Sequence, residues 1–456
     1  MTYTNGSTTN GHHVNGDHAN GDHPNGDHIN GNNTNEYCIN GDHSNGHRPS
    51  TLNVDVDKIA LSPSAPDAVP VLIDQIASIK SVSLENSQER LRLRDAAISL
   101  ANALETPREA IVRHCWTTAT RHAAIETALA LGVFSQLARD KPRSVAKLAA
   151  TTKSDPVMLS RIMKHLAAME VITEAGPDEY TATNFSTTLS VEQYGDAFPM
   201  LSSSLYLGIY ALPSFLRETG YRNPTDPTKS PYQLGRHSDE HFFECVQKNP
   251  TLNKQFNHHM SVYHQGRPSW MDKGFYPVRE RLIEGASLGE KDVFLVDVGG
   301  STGHDVSEFR RKWPDAPGRL VVQDLPEVVE TVKDLHVSIE PMAHDFFTEQ
   351  PVKGARVYYM HSVLHDWPDD MCHSILSNLA SAMRPGYSKL LINENVVPSL
   401  AAHFETTSLD IIMMSIASGE RTEKHWTELI EASGLKIVKI WTVQKGVESL
   451  IECELA

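Results

Sequence analysis

The sequence predicts a Rossmann-like, doubly wound α/β domain that follows an all-α, winged-helix-like domain. After residue 286, short apolar runs typical of buried strands alternate with helical segments, which is the pattern of a parallel sheet covered by helices. Between residues 67 and 190, apolar residues recur at helical spacing, and a short hairpin follows the helices. A polar region precedes both parts.

The polar region is rich in Asn, Gly and His and is predicted to be disordered. Residues 15–18 read Asn-Gly-Asp-His, and the same tetrad recurs at 20–23, 25–28 and 40–43. Such a segment lacks the apolar side chains that could cover a core. Its His residues suggest metal binding, but a solvated low-complexity extension is the simpler interpretation. We predict a disordered tail and linker over 1–66.

The composition of the chain argues against several classes of protein. Its 456 residues include 57 acidic and 41 basic side chains, an unfavourable balance for nucleic acid, whose phosphates need clustered Lys and Arg. No apolar run reaches the length of a membrane span, and the first residues lack the layout of a signal peptide. The five Cys are widely spread, which predicts neither disulfides nor a metal site. We expect a cytoplasmic protein with no nucleic-acid or membrane partner.

The helical half is predicted as a winged-helix-like dimerisation domain over 67–190 and a helical substrate-pocket segment over 191–285. A winged helix is usually associated with DNA, so a transcription regulator is one hypothesis. The would-be recognition helix, however, offers only two firm cations, Arg161 and Lys164. Burial of this domain in a homodimer interface is therefore favoured.

The pocket segment carries many Tyr, Phe, Met and His side chains. Met260, Tyr263 and Trp270 suit the wall of a pocket for a flat apolar ligand. Aromatic residues also fill the cores of most proteins. The sequence leaves these two alternatives open.

The α/β domain is predicted over 286–456, with its polar candidate residues at the ends of strands. Strands are predicted over 293–298, 319–323, 355–360 and 389–393. A further strand region is predicted near 343–347, between the second and third of these strands. Ligands of doubly wound sheets bind at the carboxyl ends of the strands. The candidate residues at or near these ends are Asp297, Asp324, His361, His365 and Glu394.

The loop after the first of these strands reads Gly-Gly-Ser-Thr-Gly over 299–303. This spacing fits neither the dinucleotide fingerprint nor a Walker loop. Asp324, which lies 21 residues after Gly303, suits the two hydroxyls of a ribose. Asp345 could accept a hydrogen bond from an exocyclic amine, with Phe346 against a ring. These residues predict a cofactor with a ribose and no phosphate, and ordinary loop capping by Asp is the alternative.

His365 is the candidate general base. A His with its ordinary pKa of about 6.5 is largely neutral at physiological pH and can accept a proton from a substrate hydroxyl. Glu394 and Glu420 follow later elements and are candidates to orient the imidazole. A satisfied structural His is the alternative.

Five motifs occur in order along the second half of the chain. They are Asp297-Val298-Gly299-Gly300-Ser301-Thr302-Gly303, Gln323-Asp324-Leu325-Pro326, His344-Asp345-Phe346-Phe347, Val363-Leu364-His365-Asp366-Trp367 and Gly419-Glu420-Arg421-Thr422. Together they resemble the caffeate/flavonoid type of class I S-adenosylmethionine-dependent O-methyltransferases, in particular the fungal secondary-metabolism branch. The residues 130–134 and 144–150 are similar to the dimerisation domain of that family.

The resemblance implies S-adenosylmethionine as the cofactor, a small-molecule substrate and a homodimer. The residues implied at the cofactor are Asp297, Gly299, Gly300, Gly303, Asp324, Asp345, Phe346 and His361. The implied catalytic residues are His365 as the base with Glu394 and Glu420 beside it, and Asp410 and Met413 are implied in the substrate wall. His361 departs from the family pattern, which usually has Lys or Arg four residues before the catalytic His.

The primary hypothesis is transfer of a methyl group to a hydroxyl of an aromatic or polyketide-type small molecule in secondary metabolism. A second hypothesis is a pericyclase or dehydratase on the same fold, which uses the sulfonium of the cofactor only as a fixed positive charge. The third is a winged-helix DNA-binding regulator.

Overall fold

The computed structural model describes residues 55–79, 87–286, 289, 292–333 and 335–456. The chain divides into two compact units, with the boundary between Arg108 and Glu109. Most of the predicted disordered tail, residues 1–54, lies outside the described residues.

The first unit is helical from its first described residues. Its helices are α1 (Val56–Leu61), α2 (Val69–Ser78) and α3 (Ser87–Leu104). The side chain of Asp55 accepts a hydrogen bond from the backbone N–H of Lys58 at 3.2 Å and so caps α1. Helix α1 therefore departs from the predicted disordered tail and linker over 1–66, because the Asp55 cap allows a short helix to form there. Helix α2 has no buried residue, and its Val71 and Ile73 are exposed.

The winged portion lies in the second unit. Helix α4 (Pro107–Ile111) spans the boundary between the units. The elements that follow are α5 (Thr118–Ala130), α6 (Val133–Gln136), β1 (Arg143–Ser144), α7 (Val145–Thr152), α8 (Pro156–Ala168), β2 (Ile172–Gly176) and β3 (Glu179–Ala182). Strand β3 pairs antiparallel with β1 and β2, which confirms the predicted hairpin. The would-be recognition helix α8 buries Leu159, Met163 and Leu166 in the local core.

A second group of helices connects the winged portion to the α/β part. They are α9 (Asn184–Leu189), α10 (Glu192–Gly195), α11 (Ala197–Ser203), α12 (Leu205–Glu218), α13 (Pro231–Arg236), α14 (Phe242–Lys248) and α15 (Pro250–Tyr263). Tyr232 and Phe242 share one apolar core with Met413 and Ile416. This core crosses from the helices to the α/β part, and residues 109–456 form one compact unit. The division of the chain at residues 190 and 285 stays a prediction.

The α/β part contains the remaining elements. Its strands are β4 (Val293–Val298), β5 (Arg319–Asp324), β6 (Ile339–Ala343), β7 (Val357–His361), β8 (Lys389–Glu394), β9 (Val396–Val397), β10 (Arg421–Thr422), β11 (Leu435–Trp441) and β12 (Ser449–Leu455). Its helices are α16 (His304–Lys312), α17 (Pro326–Val329), α18 (Asp369–Ala382), α19 (Phe404–Met414) and α20 (Glu423–Ala432).

Seven of these strands form one sheet in the order β11-β12-β8-β7-β4-β5-β6. The five consecutive strands β8, β7, β4, β5 and β6 run parallel to one another. Strand β12 is antiparallel to both of its neighbours, β8 and β11. Buried clusters cover both faces of the sheet, as the continuous apolar strands predict. The predicted fold class is confirmed, with one shift: β6 ends at Ala343, so residues 344–347 follow the strand. Among the described residues, no helix is long and apolar enough to cross a membrane.

Candidate active site

The glycine loop joins β4 to α16 and is fastened to the neighbouring strand. The backbone N–H groups of Gly299 and Gly300 donate to the carbonyl oxygen of Gln323 at 2.8 and 3.0 Å. Gly299 and Gly303 have φ values of 74° and 82°, in the region that glycine adopts without steric cost. Because glycine has no side chain, the backbone of the loop is open to close approach by a ligand at this edge of the sheet.

Asp297 lies beneath this loop and has an unsatisfied oxygen. Its side chain is buried, and Oδ2 has no hydrogen-bond partner among the described residues. Burial and the nearby carboxylate of Asp305 raise the pKa of Asp297 well above its ordinary value. An unpaired buried acceptor is unfavourable, so this oxygen suits a ligand that brings a donor or a positive charge.

Asp324 is held at the end of β5 by two backbone donors. The N–H of Ser301 donates to its Oδ2 and the N–H of Leu325 to its Oδ1, both at 2.8 Å. These bonds fix the carboxyl group against the glycine loop, where its remaining lone pairs can accept from hydroxyl groups. The structure thus brings Asp324 and the loop together, as predicted.

The residues after β6 contribute an aromatic surface to the same edge. A Cβ placed on Gly299 would lie 3.6 Å from the ring of Phe346, so this ring faces the loop. The ring of Trp367 lies edge-on to Phe346, with the centroids 6.2 Å apart. Asp345 is exposed and accepts a hydrogen bond from the N–H of Phe347 at 2.9 Å. Phe346 thus faces the glycine loop, and its neighbour Asp345 keeps a free face toward solvent.

His361 ends β7 and pairs with an acid that the sequence analysis did not single out. Its Nδ1 lies 2.6 Å from Oδ2 of Asp305, in the first turn of α16, and the hydroxyl of Tyr359 donates to the same oxygen at 2.8 Å. Burial alone lowers the pKa of His361, but Asp305 outweighs it and raises the pKa to about 9. The signal in the sequence for Asp305 is an acid two residues after the last glycine of the loop.

His365 sits in a short 3₁₀ turn, Leu364–Asp366, directly after β7. Its Nδ1 lies 2.8 Å from Oε1 of Glu420, and Glu394 Oε2 lies 3.9 Å from the same nitrogen. On the other side of the ring, Nε2 lies 3.6 Å from Oδ1 of Asp366. The structure therefore brings together the three predicted catalytic residues and adds Asp366, which the sequence analysis missed although it follows the His directly.

The turn that carries His365 is clamped at both ends. Oε1 of Glu394 accepts hydrogen bonds from the N–H groups of Val363 and Leu364, each at 2.9 Å. The guanidinium of Arg421 donates to the carbonyl oxygens of Leu364 and Trp367 at 2.9 and 2.8 Å. Glu394 is therefore a clamp of the turn rather than a second hydrogen-bond partner of the imidazole.

The carboxylates around His365 control its charge. Burial alone lowers the pKa of His365, but Glu394, Asp366 and Glu420 outweigh it and raise the pKa to about 10. Burial raises the pKa of Asp366 to about 7, with like charges on Glu394 and Glu420 adding to the effect and His365 opposing it. These carboxylates favour the protonated form of the imidazole, and a ligand that changes the local charge would shift that preference.

The predicted substrate-wall residues are placed differently from one another. Met260 is partly exposed and Tyr263 is half-buried, so both remain candidates for a wall. Oδ1 of Asp410 accepts from the N–H of Glu420 at 2.9 Å, which positions Glu420. Trp270 and Met413 are buried in apolar cores, Trp270 against Phe309 and Tyr359, and a place for either in a substrate wall stays a prediction. Core packing, the alternative left open for Trp270, is what the structure shows.

Comparison with known proteins identifies relatives over most of the chain. Residues 277–436 match the family model of an O-methyltransferase domain, and residues 117–192 match an O-methyltransferase dimerisation domain. The chain is 36% identical over 398 residues to the O-methyltransferase mpaG of Penicillium brevicompactum, covering 86% of this chain and all of that protein.

Two solved structures have the same architecture. LepI in its complex with SAM matches with a TM-score of 0.76 and 28% identity, covering 86% of this chain and 98% of that one. A structure described as a pericyclic reaction enzyme matches with a TM-score of 0.76 and 28% identity, covering 86% of this chain and 99% of that one.

Proposed function

Because this chain belongs to the S-adenosylmethionine-dependent O-methyltransferases with an N-terminal dimerisation domain, we propose that it methylates a hydroxyl of an aromatic or polyketide-type small molecule. The observation that carries this proposal is the imidazole of His365, buried at the exit of β7 and hydrogen-bonded to Glu420 at 2.8 Å. A buried, oriented imidazole beside a cofactor edge is what removal of a hydroxyl proton requires.

The residues at the sheet edge fit the cofactor. The unpaired Oδ2 of Asp297 suits the ammonium of its amino-acid part, and Asp324 suits the ribose hydroxyls. Phe346 and Asp345 would lie at the adenine, and His361 beside the amino-acid part. When bound, the cofactor supplies an electrophilic methyl group on a cationic sulfonium.

The residues of the chain would supply position and proton removal. Glu420 holds Nδ1 of His365, which leaves Nε2, on the side of Asp366, to face a substrate hydroxyl. His365 must be neutral to accept that proton, or must pair as a cation with an already ionised hydroxyl. A cationic group bound nearby disfavours the imidazolium and so lowers the pKa of His365 toward the working range.

The pH dependence of methyl transfer is expected to report on His365. The rate should rise with pH as the imidazolium loses its proton, because only neutral His365 can act as the base. Glu420→Gln removes a carboxylate that stabilises the imidazolium, so the pKa of His365 falls and the rising part of the profile moves to lower pH, by about 1–3 units. The measurement is kcat/KM against pH for both proteins.

Glu423→Gln is the control for that measurement, because this substitution removes the same charge. Glu423 is exposed at the start of α20. Its profile should overlay that of the unmodified protein. A profile of Glu420→Gln that stays in place, or moves to higher pH, contradicts the assignment of His365 and Glu420 as a coupled pair.

The structural match to a pericyclic reaction enzyme supports a second candidate function, that of a pericyclase or dehydratase. Incubation with methyl-labelled cofactor and a panel of phenolic and polyketide hydroxyl compounds separates the two. Label in the product, with one S-adenosylhomocysteine formed per turnover, supports methyl transfer. Conversion of a compound without label and without demethylated cofactor overturns methyl transfer in favour of the second candidate.

The dimerisation match over residues 117–192 supports a homodimer rather than a DNA-binding regulator. The exposed apolar side chains of α2, Val71 and Ile73, would gain from burial against a partner. Light scattering of the purified protein tests this assembly, and the mass of one chain would contradict it.

A further inference from the structure

Three potential metal ligands lie close together beside the turn that carries His365. His264 directly follows α15, His361 ends β7, and Glu448 precedes β12. One ring nitrogen of each His and one carboxylate oxygen of Glu448 all lie within 4.8 Å of one another. The two imidazole centroids are 4.2 Å apart, and His264 Nδ1 lies 3.5 Å from Glu448 Oε1.

His361 is oriented in the way that metal-binding His residues usually are. Asp305 occupies its Nδ1 at 2.6 Å, and Tyr359 in turn fixes Asp305. The other nitrogen, Nε2, is buried and has no hydrogen-bond partner among the described residues. A carboxylate on one imidazole nitrogen fixes the tautomer and leaves the lone pair of the other nitrogen available to a metal.

The charges around the cluster leave room for a dication. Glu448 accepts a hydrogen bond from Arg267 at 2.6 Å, and Arg267 also pairs with Glu405. The carboxylates of Asp305, Glu448 and Glu405 exceed the single guanidinium by two negative charges. A proton on His361 offsets one of these charges, and a divalent cation that displaces this proton would offset both.

We propose that His264, His361 and Glu448 form a binding site for a divalent transition metal of the Zn²⁺ class. Two imidazoles and one carboxylate are a ligand set that Zn²⁺ accepts, with a fourth position left for water or a substrate oxygen. Ligand atoms around tetrahedral Zn²⁺ lie about 3.3 Å apart, so the cluster contracts by up to about 1.5 Å on binding. No step of methyl transfer requires this metal, so the proposal goes beyond the proposed function.

Two other groups of potential ligands in the described residues are less suitable. In the group of Glu192, Asp196 and His258, Glu192 is exposed and His258 has no buried, unpartnered ring nitrogen. In the group around His365, the imidazole is already the proposed base, and its Nε2 lies 3.6 Å from Oδ1 of Asp366. Among these three groups of described residues, only that of His264, His361 and Glu448 combines a buried, unpartnered imidazole nitrogen with a carboxylate that orients the same ring.

The test is a titration of the full chain, after removal of metals by a chelator, with Co²⁺ followed by visible absorption. Co²⁺ in a four- or five-coordinate protein site absorbs strongly in the visible range, whereas six-coordinate Co²⁺, for example on the His residues of 1–54, absorbs weakly. We expect one strongly absorbing equivalent per chain. His264→Gln and His361→Gln should each remove it, and His258→Gln, the matched control, should retain it.

Asp305→Asn provides a graded test, because it keeps all three ligands and removes only the carboxylate that orients His361. It should weaken Co²⁺ binding about 10- to 100-fold without abolishing the spectrum. Circular dichroism checks that each variant is folded. The substitutions lie in three different parts of the chain, so a variant that fails to fold is set aside and the test is decided by the variants that do fold.

The proposal is overturned if the chain shows no strongly absorbing Co²⁺ equivalent, or if the spectrum survives in a folded His264→Gln or His361→Gln variant. Loss of the spectrum in His258→Gln would also overturn it, in favour of the group around Asp196. Calorimetric binding of S-adenosylhomocysteine to the metal-free chain is a separate readout, so failure of the metal site and failure of the cofactor site are distinguishable.

Discussion

Replacing His365 by Ala is expected to lower the rate of methyl transfer about 10²–10⁴-fold, the usual contribution of a general base. The imidazole is buried and oriented by Glu420, and alanine leaves no proton acceptor at the position of Nε2. The cofactor contacts proposed at the glycine loop do not involve His365. Single-turnover transfer of a labelled methyl group measures the loss, and calorimetry should show S-adenosylhomocysteine binding within about twofold of the unmodified protein.

His425→Ala is the matched control, since His425 pairs with Asp369 on the exposed side of the same region. It makes the same substitution without touching the base and should leave the rate unchanged. If His365→Ala keeps full methylating activity, the base lies elsewhere, and Glu420 does not act by orienting the base.

Gly300→Ala is expected to weaken cofactor binding about 10- to 100-fold, by crowding the glycine loop against Asp297. A Cβ on Gly300 would lie 2.5 Å from Cγ of Asp297 and 2.6 and 2.8 Å from its two oxygens. The backbone of Gly300 lies outside the positive-φ region, so the effect is steric rather than conformational. Overpacking of this kind costs about 1–3 kcal/mol, and relief requires moving the carboxyl group that is proposed to face the cofactor.

Calorimetric titration with S-adenosylhomocysteine measures that change, and urea unfolding shows whether stability falls as well. Gly176→Ala is the control, because its new Cβ would meet Glu179 at an ordinary 3.6 Å. Unchanged cofactor affinity in Gly300→Ala would show that the loop can shift away from Asp297, which would remove Asp297 from the proposed contacts.

The strands and the residues at their ends could be predicted because both depend on local sequence. The run 293–298 is apolar on both faces and is followed by glycines, and the structure places β4 over the same residues. Strand ends of a parallel sheet meet at one edge, so the meeting of Asp297, Asp324, His361 and His365 there follows from the strand assignments alone.

Other features depend on contacts between distant residues and could not be predicted from one sequence. Helical spacing cannot distinguish an aromatic side chain in a core from one in a pocket, and the structure places Trp270 in a core. The pairing of Asp305 with His361 joins residues 56 positions apart. The boundary between Arg108 and Glu109 falls inside helix α4, where composition gives no signal.

The clamp on the turn of His365 has a consequence for how such a protein can change its substrate. Glu394 in β8 and Arg421 in β10 hold this turn through its backbone atoms, so the groups that fix the turn by hydrogen bonds belong to the α/β part. Met260 and Tyr263, by contrast, belong to α15, outside the sheet. If Met260 and Tyr263 line the substrate pocket, as the sequence predicts, substitutions in α15 would alter which molecule is accepted without changing the groups that hold the turn of His365.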